Sequence, residues 1–465
     1  MTDERSEYTP PLEEHEDDVL GVSQETIRAL EAALEEHHFD RVREIMADLH
    51  AADIAVVISY LSPEIREDLV DLLRPQFNAE ILNYLDESLR IEVADRIGMR
   101  ELANALRDLE SDDALEIIEG LEEHQQIAVL KGIPAGERVI LEEVLTYPED
   151  SAARLMQREI VCVPSFWTVS QTIEFIAKEE DFPDTFYEVF VVDPKHTPVG
   201  TVPLGQLFRH PKKSKIAEIM DRDVKRIPAT MDQSEVAILF RKYGMVAAPV
   251  VDEADRIIGM ITVDDVVDVI DEEAEREILH LSRLTETDFY SPVFETSYSR
   301  IRWLLFTMIN TILAATVISQ FEDTIQNMVA LAILMPITAA MGGNSGMQVI
   351  TVTVRALATK ELGSTNMWRV INKEMLVGLL NGVICGVLLG SLAGAWFHEL
   401  PLGVVLASAM IFNMLWAACA GTILPILIDH MGWDPAISAG PLLTTTTDVF
   451  GFAVFLGLAK LFLLP

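Results

Sequence analysis

The sequence predicts a multidomain protein with an all-α superhelical domain, a tandem pair of α/β domains, a connecting helix and an α-helical membrane domain of five spans. Two internal repeats of different period and a block of long apolar segments predict this fold class. The chain of 465 residues carries a net charge of -39. Residues 1–150 hold 39 acids against 12 bases, whereas residues 301–465 hold only 8 against 6. An acidic soluble part therefore precedes an apolar part.

The first repeat has a period of 24 residues and starts near residue 50. The segment LSPEIREDLVDLL at 61 aligns with LDESLRIEVADRI at 85, LESDDALEIIEGL at 109 and IPAGERVILEEVL at 133. Apolar positions four apart with acids between them predict amphipathic helices, and the repeated two-helix unit predicts a small superhelical stack. We assign residues 23–155 to this domain, with its acids on the solvent face, and residues 1–22 to a disordered acidic tail.

The second repeat covers residues 156–271, with copies at about 156–216 and 217–271. MQREIVCVPSFWTVSQTIEFI at 156 matches MDRDVKRIPATMDQSEVAILF at 220, and VVDPKHTPVGTV matches VVDEADRIIGMI further along. Five extra residues in the first copy fall at EEDFPDTF. Each copy reads as helix, strand, Asp-containing turn, strand and helix, and the pair resembles tandem CBS domains, a cytoplasmic regulatory module.

The second CBS copy carries the nucleotide signature of that family at Gly259, Thr262 and Asp265. The resemblance implies that the threonine meets phosphate and the aspartate meets ribose, so ATP is a candidate ligand. The first copy has Pro203 and Gln206 at the last two positions, which leaves a single site at most. The alternative is that Thr262 and Asp265 only cap the following helix.

Five apolar stretches are long enough to cross the lipid bilayer, at about 303–320, 328–357, 375–397, 402–428 and 436–463. Basic residues flank the first span and lie between the second and third, while the segments on the other side have none. We therefore place the N-terminus in the cytoplasm and the C-terminus outside, in a multi-pass protein of the cell (inner) membrane. Residues 272–298 form the predicted connecting helix, and residues 299–465 the membrane domain.

Polar residues inside the spans indicate an ion pathway. An ionised acid at mid-membrane depth costs about 2.5 to 3.5 kcal/mol on insertion scales, so Asp448 is expected to face a polar interior. Gly440 and Pro441 are expected to open its helix. Pro336 followed by MGGNSGMQ is expected to interrupt the second span and line a cavity. The alternatives are a kink absorbed by packing and a protonated Asp448 bonded to a neighbouring helix. Five glycines spaced by four in the third span predict close helix packing.

The order of parts and two motifs, PITAAMGGNSGMQ and DPAISAGPLLTTTTDVFG, resemble the MgtE family of magnesium channels or transporters. The resemblance implies a homodimer with its pore on the two-fold axis, a Mg²⁺ site at Asp448, a connecting helix that acts as a plug, and cytoplasmic Mg²⁺ sites that close the pore. The pore and metal residues expected from these motifs are Asp448, Asn344, Gly342, Gly343, Thr444 and Thr447.

The sensor region of the family implies that carboxylates of the CBS pair and the connecting helix share regulatory Mg²⁺. Ser234, Gly244 and Arg276 depart from the family, which has acids at these places. The expected regulatory ligands are Asp232, Asp264, Asp265, Asp268, Asp271, Glu273 and Glu277.

Several other functions are disfavoured by the residues present. The acidic balance argues against binding of nucleic acid. Three dispersed cysteines indicate neither a disulfide framework nor a thiolate metal site. The chain has no Ser/His/Asp, HExxH or P-loop pattern, so we do not expect an enzyme. Transport of Co²⁺, Mn²⁺ or Ni²⁺, and a CBS-regulated membrane sensor without a transport role, remain the alternatives.

Overall fold

The computed structural model describes residues 18–19, 22–178, 182–183, 185–282, 293–363 and 365–463. The chain divides into two compact units, Met1–Glu272 and Glu273–Pro465. The predicted tail at 1–22 lies almost entirely outside the described residues, as does half of the predicted insertion EEDFPDTF. The finer domain boundaries stay predictions.

The first part of the first unit is a stack of short helices behind a two-strand hairpin, β1 and β2. The helices bury one apolar face each in a shared core that includes Leu69, Val93 and Ile117. Their bounds are β1 Asp18–Val19, β2 Val22–Ser23, α1 Gln24–Glu35, α2 Phe39–Ala47, α3 Ala51–Tyr60, α4 Pro63–Leu73, α5 Glu87–Ile97, α6 Met99–Ala105, α7 Ser111–Glu119, α8 Glu123–Gly132 and α9 Ala135–Val144.

The period of 24 residues is confirmed in the positions of these helices. Helices α4, α5, α7 and α9 each begin 24 residues after the previous one, and so do α6 and α8. The partner of α4 differs, since two short 3-10 turns replace it at Arg74–Gln76 and Ala79–Leu82. Pro75 lies in the first of these turns.

The second part of the first unit contains two matching α/β units, as predicted. Each has a three-stranded sheet whose first pair of strands is parallel and whose second pair is antiparallel, in the orders β3-β4-β5 and β6-β7-β8. The bounds are β3 Cys162–Pro164, α10 Val169–Ile176, β4 Glu188–Val192, β5 Pro198–Pro203, α11 Leu204–Arg209, α12 Ile216–Ile219, β6 Ile227–Pro228, α13 Gln233–Tyr243, β7 Ala247–Val251, β8 Ile257–Thr262 and α14 Val263–Leu281.

The two α/β units exchange their entry segments. Gln157, which leads into the first copy, pairs with Met260 in β8, and Asp221, which leads into the second copy, pairs with Thr201 in β5. A Cβ atom on Gly259 would lie 2.8 Å from the carbonyl oxygen of Gln157. The glycine is therefore explained by close backbone packing, without a ligand.

The membrane unit contains five helices that are long and apolar enough to cross a membrane, among the described residues. The five predicted spans are thus confirmed in number and order. A short helix, α16, lies between the first two. The bounds are α15 Val293–Ser319, α16 Glu322–Asn327, α17 Ala330–Ala358, α18 Met367–Trp396, α19 Leu400–His430 and α20 Pro435–Phe462.

Two expectations about broken helices are wrong. Helix α17 runs without interruption through Pro336 and the glycine-rich segment, and α20 runs through Gly440 and Pro441. Gly346 serves packing instead, since a Cβ atom there would lie 2.6 Å from Leu443 in α20. This small residue therefore lets α17 and α20 approach closely.

The glycine stripe of the third span packs as predicted against the fourth. Cβ atoms on Gly378, Gly382, Gly386 and Gly390 of α18 would lie 2.5 to 3.0 Å from atoms of α19. Gly394 is less tight, with its nearest neighbour at 3.7 Å. Four of the five glycines thus allow backbone contact between the two helices.

Helix α14 crosses the predicted boundary between the CBS pair and the connecting helix. It continues from the second CBS copy to Leu281 without a break at 271. The predicted connecting helix at 272–298 includes residues 283–292, which lie outside the described part of the chain, and α15 begins at Val293.

Candidate ion site and acidic joint

Asp448 lies in the middle of α20 and is partly buried. Among the described residues, its carboxylate has neither a hydrogen bond nor an ion pair. Thr444, one helical turn earlier, is exposed on the same side of the helix. Its hydroxyl donates to the carbonyl oxygen of Gly440 at 3.0 Å, so the hydroxyl oxygen is free to accept a bond. This face offers an anionic oxygen with a neutral oxygen beside it.

The six residues predicted for the pore differ in their exposure to solvent. Asn344 and Thr444 are exposed, and Gly343 and Asp448 are partly buried. Gly342 and Thr447 are buried, because they face neighbouring helices of the same chain. The hydroxyl of Thr447 donates to carbonyl oxygens of its own helix, at 3.0 Å to Leu443 and 3.1 Å to Thr444. Thr447 therefore contributes to packing in this chain.

A buried amide in the fourth span was missed by sequence reasoning. Asn413 of α19 is 1% exposed, and its Nδ2 donates to the carbonyl oxygen of Thr338 in α17 at 2.8 Å. The available signal was an asparagine in the middle of a long apolar segment, where a polar side chain needs a partner.

The first unit brings carboxylates of the helical stack against the second CBS copy. We call this cluster the acidic joint; it consists of Glu110, Asp112 and Asp113 at the start of α7 and of Asp264, Asp265 and Asp268 in α14. Burial, as the largest cause, and the charges of neighbouring acids together raise the pKa of each of Glu110 and Asp265 to about 7. Burial and Glu116 raise the pKa of Asp113 to about 6.

Asp112 is the most enclosed carboxylate of the acidic joint. Burial, followed by the charges of Asp265 and Asp113, raises its pKa well above the ordinary range. Burial, Asp264 and Asp271 likewise raise the pKa of Asp268. The joint thus concentrates negative charge where water cannot screen it well, and its ionised form favours separation of the two surfaces.

Polar bonds hold the edge of the acidic joint in register. Ser111 donates from its hydroxyl to Glu159 at 2.8 Å and accepts from the backbone N–H of Arg158 at 2.8 Å. The side chain of Gln157 donates to Glu110 at 2.5 Å. The start of α7 is therefore attached to the segment that enters the CBS pair, ahead of β3.

The predicted regulatory ligands are not all together. Asp264, Asp265 and Asp268 lie in the acidic joint, with Asp271 beside them, whereas Asp232 caps α13 by accepting from the N–H of Ser234 at 2.9 Å. Glu273 pairs with Arg276 at 2.8 Å. Glu277 is partly buried, further along α14. Within the described residues, no group of three or more His, Cys, Asp or Glu side chains has an arrangement that could hold a metal ion.

The nucleotide signature has a local structural explanation. The hydroxyl of Thr262 donates to Asp265 at 2.7 Å, and its N–H donates to the same carboxylate at 3.3 Å. This is the arrangement of a helix cap, with Asp265 in the first turn of α14. Together with the packing of Gly259, it accounts for the three residues without a nucleotide.

Comparison with known proteins matches the helical stack, the second CBS copy and the membrane part. A family model described as "Divalent cation transporter" matches residues 335–458, the "MgtE intracellular N domain" matches residues 49–150, and the "CBS domain" matches residues 216–272. The CBS match covers the copy that carries the nucleotide signature.

Two curated relatives share nearly the full chain. "Magnesium transporter MgtE" of Thermus thermophilus is 32% identical over 441 residues, which cover 94% of this chain and 98% of that protein. The protein of the same name from Bacillus subtilis is 27% identical over 422 residues, covering 90% and 94%. A solved structure described as the "cytosolic domain of the Mg2+ channel MgtE in complex with ATP" is 30% identical and covers 52% of this chain and 99% of that chain, with a TM-score of 0.49. The chain therefore belongs to the MgtE family of magnesium transporters.

Proposed function

We propose that this protein takes up Mg²⁺ through a homodimeric pore in the cell membrane, with Asp448 as the ion-binding residue. The observation that carries the proposal is the carboxylate of Asp448, which lies in the middle of a membrane-spanning helix without a protein partner among the described residues. It stands inside the segment matched by the divalent cation transporter model. An acid kept at that depth needs a cation.

The chemistry of Mg²⁺ favours two copies of this site. Mg²⁺ takes oxygen ligands in octahedral geometry and loses its water reluctantly, so a single carboxylate holds it weakly. A two-fold axis beside α20 brings a second Asp448 to the same ion. Thr444 and Asn344, both exposed in the single chain, then face the axis and accept or donate bonds to the retained waters.

Regulation by cytoplasmic Mg²⁺ follows from the acidic joint. Ionised carboxylates in the joint repel each other, and a divalent cation removes that repulsion as protons do. Bound Mg²⁺ therefore favours docking of the helical stack on the second CBS copy, and docking favours a closed pore. This requires the cytoplasmic orientation of the N-terminus that the flanking basic residues predict.

Uptake by an Asp448→Asn variant tests the pore. The full-length protein is reconstituted in liposomes, and Mg²⁺ entry is followed with a trapped indicator dye. We expect a loss of at least about a hundredfold, because the amide keeps the shape and removes the charge that binds the ion. Asp323→Asn, an exposed acid of α16, is the control with the same change of charge. Normal uptake by Asp448→Asn would exclude this residue as the ion site.

Inhibition by Mg²⁺ inside the liposomes tests the sensor. Combined Asp264→Asn and Asp268→Asn substitutions remove two charges from the acidic joint, so uptake should no longer respond to internal Mg²⁺ over the range that affects the native protein. If the variant were inhibited by internal Mg²⁺ to the same extent as the native protein, the acidic joint would not be part of the sensor.

Transport of another divalent cation is the second candidate, favoured by the broader description of the matching family model. The face around Asp448 offers oxygen ligands, which suit Mg²⁺ better than Co²⁺ or Ni²⁺. Competition of Co²⁺, Mn²⁺ and Ni²⁺ against Mg²⁺ uptake separates the two candidates.

ATP binding at Gly259, Thr262 and Asp265 remains part of the proposal, and titration calorimetry with the full chain tests it.

A further inference from the structure

The amide of Asn413 lies between two glycines from different helices. Its Nδ2 is so close to Gly342 of α17 that a Cβ atom there would overlap it, and a Cβ atom on Gly451 of α20 would lie 2.8 Å from it. The same nitrogen donates to the carbonyl oxygen of Thr338 at 2.8 Å. One side chain of α19 thus occupies the space that both glycines leave.

The position of this contact relates it to the ion site. Gly451 is three residues after Asp448, which places the two on neighbouring positions of one helical surface. A ring contact supports the same junction, since Trp416 of α19 stacks on Phe450 of α20 with ring centroids 4.7 Å apart. Helix α19 therefore fixes α20 at two points within one turn of Asp448.

The buried amide carries an unfavourable feature that packing alone does not require. Its Oδ1 is buried and has no hydrogen-bond partner among the described residues. A leucine of similar size would fill the space between the glycines without an unpaired oxygen. An amide, unlike leucine, also donates its N–H to the carbonyl oxygen of Thr338 in α17. Because the same side chain packs on Gly451, it sets the distance of α17 from α20.

We propose that Asn413 is a positioning residue for the ion site: it fixes α17 and α20 so that Asp448 is held at the correct distance from the ion path. The proposal rests on the proposed function. Asn413 does not touch the ion; it acts through the placement of the helix that carries the carboxylate. Because Mg²⁺ requires near-ideal octahedral geometry, a small shift of that carboxylate weakens binding of Mg²⁺ more than of the larger Ca²⁺.

Uptake kinetics of Asn413→Leu in liposomes test the positioning role. We expect the external Mg²⁺ concentration for half-maximal uptake to rise about tenfold, equivalent to about 1.4 kcal/mol, together with weaker discrimination against Ca²⁺. Ser408→Ala is the matched control, since this exposed hydroxyl of α19 bonds to its own helix, at 2.9 Å to Val404. Unchanged half-saturation and unchanged discrimination in Asn413→Leu would overturn the proposal.

A pair of substitutions keeps the test decisive if Asn413→Leu does not reach the membrane. Gly451→Ala should impair uptake by displacing the amide. Gly457→Ala in the same helix is the control and should not impair uptake, since a Cβ atom there would have no neighbour within 4 Å. The double variant Gly451→Ala/Asn413→Ala should equal Asn413→Ala alone, because the new methyl group enters space that the amide has left. If the losses of uptake from the two single substitutions were additive in the double variant, the amide would not be what the new methyl group displaces.

The outcomes separate this inference from the proposed function. Normal Mg²⁺ uptake by Asp448→Asn contradicts the ion site itself. An inactive Asp448→Asn together with an unaltered Asn413→Leu leaves the ion site in place and removes only the positioning role.

Discussion

Neighbouring repeats of the helical stack differ in whether an arginine pairs with their acids. Arg66 of α4 pairs with Glu92 at 2.9 Å, and Arg90 of α5, 24 residues later, pairs with Glu116 at 3.0 Å. The next position of this series is Ala114 in α7, which has no charge. The arginine is thus absent in the repeat that presents Asp112 to the second CBS copy.

The comparison shows where the protein compensates negative charge and where it does not. In the paired repeats, a buried arginine joins one repeat to the next; Arg66 also donates to the carbonyl oxygens of Ile58 at 2.9 Å and Leu61 at 3.0 Å. In the acidic joint, the charged neighbours that act on the carboxylates are other carboxylates, which raise the pKa values of Glu110 and Asp112. Under the proposed regulation, we expect a surface of the second kind to dock well only when a cation or a proton arrives from solution.

Removal of a compensating arginine should have the largest effect on stability. Arg66→Met leaves Glu92 and two carbonyl groups without their donor, and we expect it to lower the free energy of unfolding of the first unit by about 2 to 4 kcal/mol. Denaturant unfolding of the full chain in detergent, followed by far-ultraviolet circular dichroism, measures it. Arg96→Met is the control, since this half-exposed arginine pairs with Asp71 and Glu67 on the surface and should change stability by less than about 1 kcal/mol. Equal effects would mean that burial does not distinguish the pairs.

Neutralisation of the acidic joint should have the next largest effect, and in the opposite direction. Asp112→Asn combined with Asp265→Asn removes mutual repulsion, so the helical stack should stay docked without Mg²⁺ and uptake at low internal Mg²⁺ should fall about tenfold or more. Resistance of the stack to limited proteolysis in Mg²⁺-free buffer reports docking. Glu44→Gln combined with Asp48→Asn, on the exposed face, carries the same change of charge as a control. A joint that remains open after neutralisation would contradict the repulsion mechanism.

The pH dependence of docking follows from the raised pKa values. Glu110 and Asp265 have pKa values of about 7 and Asp113 of about 6, all above their values in the unfolded chain. The penalty from ionisation is therefore complete above about pH 7; it decreases as the pH falls below these raised values and is gone only below the ordinary carboxyl pKa. In Mg²⁺-free buffer, protection from proteolysis should rise from about pH 8 to about pH 6.

The arginine-paired repeats provide the contrast for the pH experiment, because arginine stays protonated throughout this range. The Asp112→Asn/Asp265→Asn variant should show a shallower rise. A protection profile that is flat with pH in the native protein would mean that the joint does not titrate.

The smallest expected effect concerns the cap of α14. Thr262→Val removes the hydroxyl that donates to Asp265 at 2.7 Å and should lower stability by about 1 kcal/mol. Thermal unfolding with and without ATP measures the change and also tests the nucleotide proposal. If ATP stabilises the native protein but not the Thr262→Val variant, Thr262 takes part in ATP binding as well as in the cap. If ATP stabilises both proteins equally, Thr262 is only a helix cap.

The sequence predicted the fold where a local pattern repeats. The period of 24 residues predicted the helix starts in the stack, and the second repeat, with copies at about 156–216 and 217–271, predicted the matching sheets. The five spans followed from apolar length, and the stripe from Gly378 to Gly390 followed from its spacing. Each of these features depends on residues near in sequence, so periodicity and composition identify it.

The sequence failed where the partner is distant in the chain. Glycine and proline in α17 and α20 predicted broken helices, but the tertiary structure uses them for contact between helices. Asn413 went unnoticed because its partner, Thr338, lies 75 residues away. The acids at Asp112 and Asp113 were assigned to solvent because only the folded unit places α14 beside them.

By itself, the sequence determined the order of domains, the membrane spans and the depth of Asp448, since hydrophobic length and charge distribution are properties of the chain. Only the tertiary structure decided which acids meet across the joint, which threonines are buried and which amide separates α17 from α20. The physical reason is that burial and electrostatic coupling depend on distances between residues far apart in sequence, and packing alone sets those distances.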